Sequence, residues 1–203
     1  LEHCCRNLTA IVEKAATFGN YVWIDMEASR YVDQTLELLR RVHGTRPNVG
    51  ICLQTYLYRT ADDLAALLPL GVGVRLVKGA YKEPPDLAYP KKRDVDRNFL
   101  VLSQRLLSQE ARQRGTWPAF GTHDRRLIAQ LIAAAERAGV PRNAYEFQML
   151  YGIQREEQER LAREGCRIRV MVNYGSQWFP WYMRRLAERP ANLFFVARNV
   201  FAR

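Results

Sequence analysis

Apolar residues along this chain fall into two patterns, short continuous runs and longer stretches in which they recur every three or four positions. The runs predict strands that are covered on both faces, and the periodic stretches predict amphipathic helices. The predicted strands are Tyr21–Met26, Val49–Leu57, Val72–Val77, Pro118–Gly121, Tyr145–Leu150 and Arg167–Val172. The predicted helices are Leu8–Phe18, Val32–Val42, Ala61–Leu68, Val95–Arg114, Arg125–Ala138 and Arg155–Glu164.

Glycine marks the end of each predicted helix, where a left-handed backbone turn favours it. The glycines are Gly19, Gly44, Gly71, Gly115, Gly139 and Gly165. At the other end of one helix, the segment from Thr60 to Asp63 predicts an N-cap followed by an acidic first turn. These boundaries support the division of the chain into repeating units of strand, helix and glycine.

Such repeats predict parallel strands with right-handed crossovers, in either an open doubly wound sheet or a (β/α)8 barrel. No G-x-G-x-x-G motif follows a strand, which disfavours the dinucleotide-binding sheet. A long loop with Pro84, Pro85 and Pro90 follows the third strand, where barrels carry functional loops. We therefore expect residues 1–203 to form one α/β domain, a TIM-like barrel. Six strands are fewer than the eight of a full barrel, so its N-terminal quarter is expected to be missing.

The formal net charge of +10 indicates affinity for an anionic partner such as a phosphorylated cofactor or a membrane surface. The basic residues are dispersed and form no RNP, KH or helix-turn-helix signature, so no nucleic-acid partner is expected. No apolar run is long enough to predict a membrane span, and the N-terminal sequence lacks the pattern of a signal peptide. The four cysteines favour a reducing compartment, and their spacing predicts no metal site.

Polar residues stand where the predicted strands end, at the edge that forms the active face of a barrel. They are Asp25, Gln54, Arg75, Lys78, Thr122 and His123, followed after the sixth strand by Arg184 and Arg185. The set contains no pair of acids, no Ser/His/Asp combination and no metal-ligand spacing. It predicts a site that holds an anionic cofactor and a small anionic substrate, with the cofactor supplying the difficult chemistry.

Several of these residues also admit structural roles. Asp25 could cap a loop, Lys78 could be solvated and His123 could cap the following helix. Arg184 and Arg185 could form a solvated helix face. A buried arginine in the apolar run of the third strand is different, because it needs a carboxylate, carbonyl or ligand acceptor.

Six segments, IDMEAS, LQTYLYRT, RLVKGAYKEP, GTHD, YEFQMLYGI and YMRRLAERPANL, resemble the ordered motifs of the proline dehydrogenase family, especially its monofunctional bacterial members. The resemblance runs from about Asn7 to Asn199. It implies a distorted (β/α)8 barrel that binds FAD and oxidises L-proline to Δ1-pyrroline-5-carboxylate by hydride transfer to flavin N5. It also implies a membrane quinone as electron acceptor, and hence a cytoplasmic protein with a peripheral contact on the inner membrane.

The resemblance assigns a role to each matching residue. It implies that the isoalloxazine ring is held by Met26, Gln54 and Arg75, and the rest of the cofactor by Lys78, Gly79, Ala80, Thr122 and His123. It implies that the substrate is contacted by Tyr81, Leu150, Arg184 and Arg185. Asp25 and Arg75 would be the catalytic pair, with Asp25 orienting the cation that binds the substrate.

The sequence departs from the family pattern at three places. The catalytic lysine of the family lies on a strand that would precede Leu1, and Lys14 falls in a helix and cannot replace it. Met171 and Asn173 stand where the family has tyrosine and proline, and Trp181 stands where a second pocket tyrosine is usual. These departures leave open the oxidation of hydroxyproline or another cyclic imino acid, and also an inactive fragment. Two further alternatives are a Schiff-base lyase that uses Lys78 and a basic nucleic-acid-binding module.

Overall fold

Parallel strands in chain order form the sheet of this protein, whose computed structural model describes residues 1–44, 46–176, 178–180 and 183. The strands are β1 Val22–Ile24, β2 Val49–Gln54, β3 Gly73–Val77, β4 Pro118–Gly121, β5 Glu146–Leu150 and β6 Arg167–Met171. Neighbours in the sheet are also neighbours in sequence, so the order β1 to β6 has no reversal of the kind that defines a doubly wound sheet. The sheet curls into an open, incomplete barrel, which confirms the predicted fold class.

Helices connect the strands along the outside of the sheet. They are α1 Glu2–Ala16, α2 Val32–His43, α3 Thr60–Leu67, α4 Lys92–Leu106, α5 Gln109–Gln113, α6 Arg125–Arg137 and α7 Arg155–Arg163. All six glycines predicted to end helices have positive φ, as expected. Within the described ranges, no helix combines the length and the apolar character needed to cross a bilayer.

Most boundaries differ from the prediction by a few residues; α1 begins at Glu2 and not at Leu8, and β1 is shorter than the predicted Tyr21–Met26. Three of the differences have a clear physical reason. The predicted helix over residues 95–114 is two helices, because the Ser108 hydroxyl accepts a hydrogen bond from Ala111 N (3.3 Å) and caps a new helix there. Thr60 is buried and lies inside α3, where its hydroxyl donates to Gln54 O at 2.5 Å, so the predicted N-cap is wrong. β2 ends at Gln54 although apolar residues continue to Leu57, because that segment packs under the loop after β3.

The apolar core lies between the sheet and the helices. β2 is buried along its whole length, while β3 and β5 alternate, with Leu76 and Phe147 turned to the helices. Each such side chain contributes about 1.5–3 kcal/mol when it is removed from water. The opposite face of the same strands carries Arg75 and Gln148, so the alternation along β3 and β5 directs polar groups into the barrel interior.

Aromatic residues of the β1 region fill the lower part of this interior. A Cβ on Gly50 would come within 2.8 Å of the Trp23 ring, and one on Gly73 would overlap the Tyr21 hydroxyl. The Tyr21 hydroxyl accepts a hydrogen bond from Gly73 N (3.1 Å) and donates one to Val49 O (2.9 Å). Glycines on β2 and β3 therefore leave space for the Tyr21 and Trp23 rings inside the barrel. The guanidinium of Arg75 lies over the Trp23 ring, 5.7 Å from its centroid.

Candidate active site at the carboxyl ends of the strands

The predicted site residues converge at one edge of the sheet. The register aligns Gln54 with Val77, Val77 with Gly121 and Gly121 with Gln148, so these positions stand at one level. Arg75 lies two residues before this level, within β3. The other described members of the predicted set lie at this level, just beyond it or in the loops that follow the strands: Asp25, Met26, Gln54, Lys78, Gly79, Ala80, Tyr81, Thr122, His123 and Leu150. Arg184 and Arg185 lie outside the described residues, as does Trp181.

Arg75 connects three strands through its guanidinium. Nη1 donates to Gln148 Oε1 at 3.1 Å, Nη2 forms an ion pair with Asp25, and Nε is buried without a partner among the described residues. Burial lowers the pKa of Arg75 to about 10, so the group remains charged at neutral pH. A buried arginine with an unsatisfied donor is the acceptor-seeking group that the sequence predicts at this position.

The amide of Gln54 is the second group with unused hydrogen-bonding capacity. Nε2 donates a long bond to Met26 O at 3.4 Å, and Oε1 is buried without a partner in the described part of the chain. Burying an unsatisfied polar atom costs about 1–3 kcal/mol, and a hydrogen-bonding group of a bound molecule would remove that cost at Gln54 and Arg75.

Lys78 lies between two carboxylates, 2.6 Å from Asp96 Oδ1 and 2.9 Å from Asp124 Oδ2. The pKa of Asp124 lies below its ordinary value, because the contact with Lys78 and the bond from Leu127 N outweigh burial, which alone would raise it. An amine nucleophile needs a desolvated setting or a neighbouring cation. Lys78 is instead held in ion pairs with Asp96 and Asp124. It shares both carboxylates with Lys92. An amine engaged in this way is poorly placed to attack a carbonyl, which argues against a Schiff-base lyase.

His123 bridges the ends of β4 and β5. Its Nε2 accepts a hydrogen bond from Leu150 N at 2.9 Å, so the proton of the neutral ring lies on Nδ1. Asp124, and not His123, caps α6 through bonds from Arg126 N and Leu127 N. The alternative in which His123 caps a helix is therefore wrong, and the histidine instead holds Leu150 in place.

Protonation of His123 is expected to lower the stability of the folded protein. Burial lowers the pKa of His123 to about 4, so between about pH 4 and 6.5 the unfolded chain binds more protons at this residue than the folded chain. The part of the free energy of unfolding that depends on a neutral His123, up to about 3 kcal/mol, is fully present above pH 6.5 and is lost as the pH falls toward 4. Urea unfolding of wild type and His123→Gln across this range should show a flatter pH dependence in the variant, whose amide can still accept from Leu150 N. Equal slopes would contradict the assignment.

Two loops above the sheet are joined by Glu27, Ser29 and Glu83, which have no predicted role, and by Tyr81, which was predicted to contact the substrate. Ser29 donates from both N and Oγ to the Glu83 carboxylate, at 2.7 and 2.6 Å, and the Tyr81 hydroxyl donates to Glu27. The Glu83 pKa lies below its ordinary value, because these Ser29 bonds outweigh burial. The β1 and β3 loops, which carry Asp25 and Tyr81, are thereby fastened over the end of β2.

Glu146, Gln148 and Arg169 form a second group that was not assigned a role. They lie on the inward face of β5 and β6, and Glu146 is only 3% exposed. Arg169 binds both oxygens of Glu146, Gln148 Nε2 donates to Glu146 Oε1 at 2.5 Å, and Gln148 Oε1 accepts from Arg75. Alternating polar letters in EFQML and RIRVM are the only sequence signal, and they do not reveal which residues pair.

An all-parallel sheet in chain order, with charged and amide groups near its carboxyl ends, defines a segment of a (β/α)8-type barrel. The family profile described as proline dehydrogenase matches residues 4–198, so the chain belongs to the proline dehydrogenase family. This assignment confirms the resemblance in the six motifs.

Two curated relatives agree with this assignment. Proline dehydrogenase of Deinococcus radiodurans is 42% identical over 96% of this chain and 62% of its own length. Proline dehydrogenase 1 of Bacillus subtilis is 43% identical over 96% of this chain and 63% of its own length. The chain thus spans a little under two thirds of the length of these two relatives.

A solved structure has the same fold over most of the chain. The crystal structure of proline utilization A from Bdellovibrio bacteriovorus, inactivated by N-propargylglycine, superimposes with a TM-score of 0.78 at 27% identity. The match covers 85% of this chain and 20% of that protein.

Proposed function

We propose that this chain is the flavin-binding, substrate-oxidising part of a proline dehydrogenase, which converts L-proline to Δ1-pyrroline-5-carboxylate. The substrate loses two electrons and two protons, and a quinone finally takes them up. Bound FAD would supply the two-electron acceptor for a hydride from the ring carbon next to nitrogen. The observation that supports this most directly concerns two buried atoms near the carboxyl ends of the strands, Arg75 Nε and Gln54 Oε1. Neither has a hydrogen-bond partner among the described residues of this family member.

The residues present fit a flavin nucleotide. Gln54 and Arg75 would hydrogen-bond the isoalloxazine ring, with the Met26 backbone beside them. The fixed charge of Arg75 would favour the added negative charge of the reduced ring. The phosphate-bearing chain would be held by Lys78, Gly79, Ala80, Thr122 and His123. Gly79 supports this, because its φ is +115 and a Cβ there would overlap the buried Tyr56 ring.

The substrate would lie against the loops that Ser29 and Glu83 fasten. Tyr81 and Leu150 would line its ring, and Asp25 would orient the cationic groups around it. Arg184 and Arg185 would bind its carboxylate, since two guanidinium groups suit a carboxylate. His123 keeps Leu150 in place by accepting a hydrogen bond from Leu150 N. His123 would therefore contact the cofactor and also position a residue that lines the substrate.

A quinone acceptor would bring this protein to the surface of the inner membrane from the cytoplasmic side. The net charge of +10 is compatible with anionic headgroups, because each cation near such a surface adds about 1 kcal/mol of attraction. This contact would be peripheral.

Anaerobic titration of the full-length protein tests this function. We expect flavin absorption bands in the purified protein and their bleaching when L-proline is added, because reduction removes the oxidised chromophore. N-propargylglycine, which inactivates the Bdellovibrio relative, should abolish the bleaching over time. D-proline is the control for the substrate. A flavin spectrum that L-proline leaves unchanged would contradict the substrate, and failure to take up FAD would contradict the cofactor.

A parallel titration with trans-4-hydroxy-L-proline examines the second candidate substrate. Met171 favours its inclusion, because this residue pairs in register with Leu150 and stands where the family has tyrosine. Faster bleaching by hydroxyproline than by proline would assign the chain to hydroxyproline oxidation.

A further inference from the structure

Glu146 is a buried charge that the proposed chemistry does not use. It is the first residue of β5 and pairs in register with Ala119, which pairs in turn with Arg75, and it is 3% exposed. Arg169 binds it with both donors, Nε to Oε1 at 2.8 Å and Nη2 to Oε2 at 3.0 Å. The ion pair makes burial tolerable, but apolar residues commonly replace such pairs without loss of stability. Stability alone therefore does not explain a charge here.

The carboxylate of Glu146 determines which way the amide of Gln148 faces. A carboxylate only accepts hydrogen bonds, so it takes the amide nitrogen of Gln148, Nε2 to Oε1 at 2.5 Å. The amide oxygen is then left for Arg75, whose Nη1 donates to it at 3.1 Å. With a neutral partner at position 146 either orientation of the amide becomes possible, and the flipped one would set an NH2 group against the guanidinium.

We propose that Glu146 is a positioning residue for Arg75, acting through the amide of Gln148. The proposal rests on the proposed function, in which Arg75 is the cation beside the flavin. A relay from Arg169 through Glu146 and Gln148 would hold the guanidinium from one side, while Asp25 holds it from the other.

The charge of Glu146 also acts on Arg75 directly. Burial lowers the pKa of Arg75 to about 10, and the negative charge of Glu146 opposes that lowering. Removal of Glu146 by charge alone would make the flavin easier to reduce, because a negative group is lost. Loss of Arg75 positioning would make the flavin harder to reduce, so the sign of the change separates the two effects.

A double-mutant cycle in the full-length protein tests the proposal, with Glu146→Gln, Gln148→Met and the double variant. The readouts are the midpoint potential of bound flavin, the rate of flavin reduction by L-proline and the melting temperature. We expect each single variant to shift the potential to more negative values and to slow reduction about tenfold, the effect of one hydrogen bond. The double variant should be little slower than either single variant, because both changes cut the same connection.

Glu157→Gln is the matched control. Glu157 is 4% exposed and is bound by both Nε and Nη2 of Arg160, at 3.1 and 2.6 Å, but it lies on α7 outside the barrel. It should lower the melting temperature while leaving the potential unchanged. A potential equal to wild type in Glu146→Gln, a positive shift, or equal shifts with and without Gln148 would overturn the proposal. A wild-type protein that binds no flavin would overturn the proposed function as well.

Discussion

Replacement of Arg75 by methionine should slow flavin reduction by L-proline at least about 100-fold and yet leave the fold almost as stable as wild type. The stability part follows from burial. Burial lowers the pKa of this guanidinium to about 10, so holding its charge inside the protein opposes folding at neutral pH. Methionine removes that cost and also the bonds to Gln148 and Asp25, worth about 1–3 kcal/mol each, so the two changes nearly cancel.

The loss of activity has no such compensation. Arg75 is fixed by Gln148 on one side and by Asp25 on the other, over the Trp23 ring, so its charge does not have to reorganise during the reaction. Preorganised charge of this kind is worth more than the same charge in water. Arg75→Lys keeps the charge but loses the planar fork that reaches two partners, and it should recover only part of the rate.

Arg160→Met is the comparison that makes this result informative. Arg160 binds the buried carboxylate of Glu157 on α7, so its removal leaves a buried charge without its bidentate partner. That variant should lose stability and keep its rate, the reverse of Arg75→Met. Stopped-flow reduction and urea unfolding of both variants measure the two quantities. If Arg75→Met unfolds as readily as Arg160→Met and reduces flavin at the wild-type rate, Arg75 is a structural residue only.

The polar network around Arg75 marks the limit of what the sequence could predict. Arg75 itself was predictable, because a charged residue inside an apolar run must find an acceptor. Its partner Gln148 was not, since the two are 73 residues apart and meet only when β3 and β5 curl toward each other. The direction of that amide depends in turn on Glu146, a contact that no local pattern encodes.

The turn between β4 and α6 was also predictable only in part. The sequence GTHD predicts a polar turn before α6, but it does not say which residue caps the helix. The structure gives that role to Asp124, and this frees the His123 ring to accept from Leu150 N on the next strand. The roles of Arg184 and Arg185 stay predictions, because both lie outside the described residues.

Glycines at helix ends were predicted as a class, but their individual importance depends on tertiary contacts. Gly71 and Gly139 have nearly the same φ, +66 and +64. A Cβ on Gly71 would overlap the carbonyl oxygen of Arg114, at the end of α5, whereas a Cβ on Gly139 would meet nothing within 4 Å. The two positions therefore separate the cost of backbone strain from the cost of a collision.

Gly71→Ala should be strongly destabilising, at about 2–5 kcal/mol. Strain at positive φ accounts for about 1–2 kcal/mol, and the same loss is expected in Gly139→Ala. The remainder comes from overlap with the Arg114 backbone, which cannot rotate away as a side chain could, and overpacking of this kind costs about 1–3 kcal/mol. Because small domains have only about 5–15 kcal/mol of stability, the difference should be plain in urea unfolding.

The consequence for the site can be measured in the same pair of variants. Gly71 lies two residues before β3, so movement away from Arg114 would shift the strand that carries Arg75 and the loop that carries Gly79. Gly71→Ala should therefore weaken FAD binding in addition to lowering stability, and Gly139→Ala should leave FAD binding intact. Equal losses of stability in the two variants would mean that the segment between α3 and β3 can move away from Arg114 at no cost in stability. The contact with Arg114 would then not position β3.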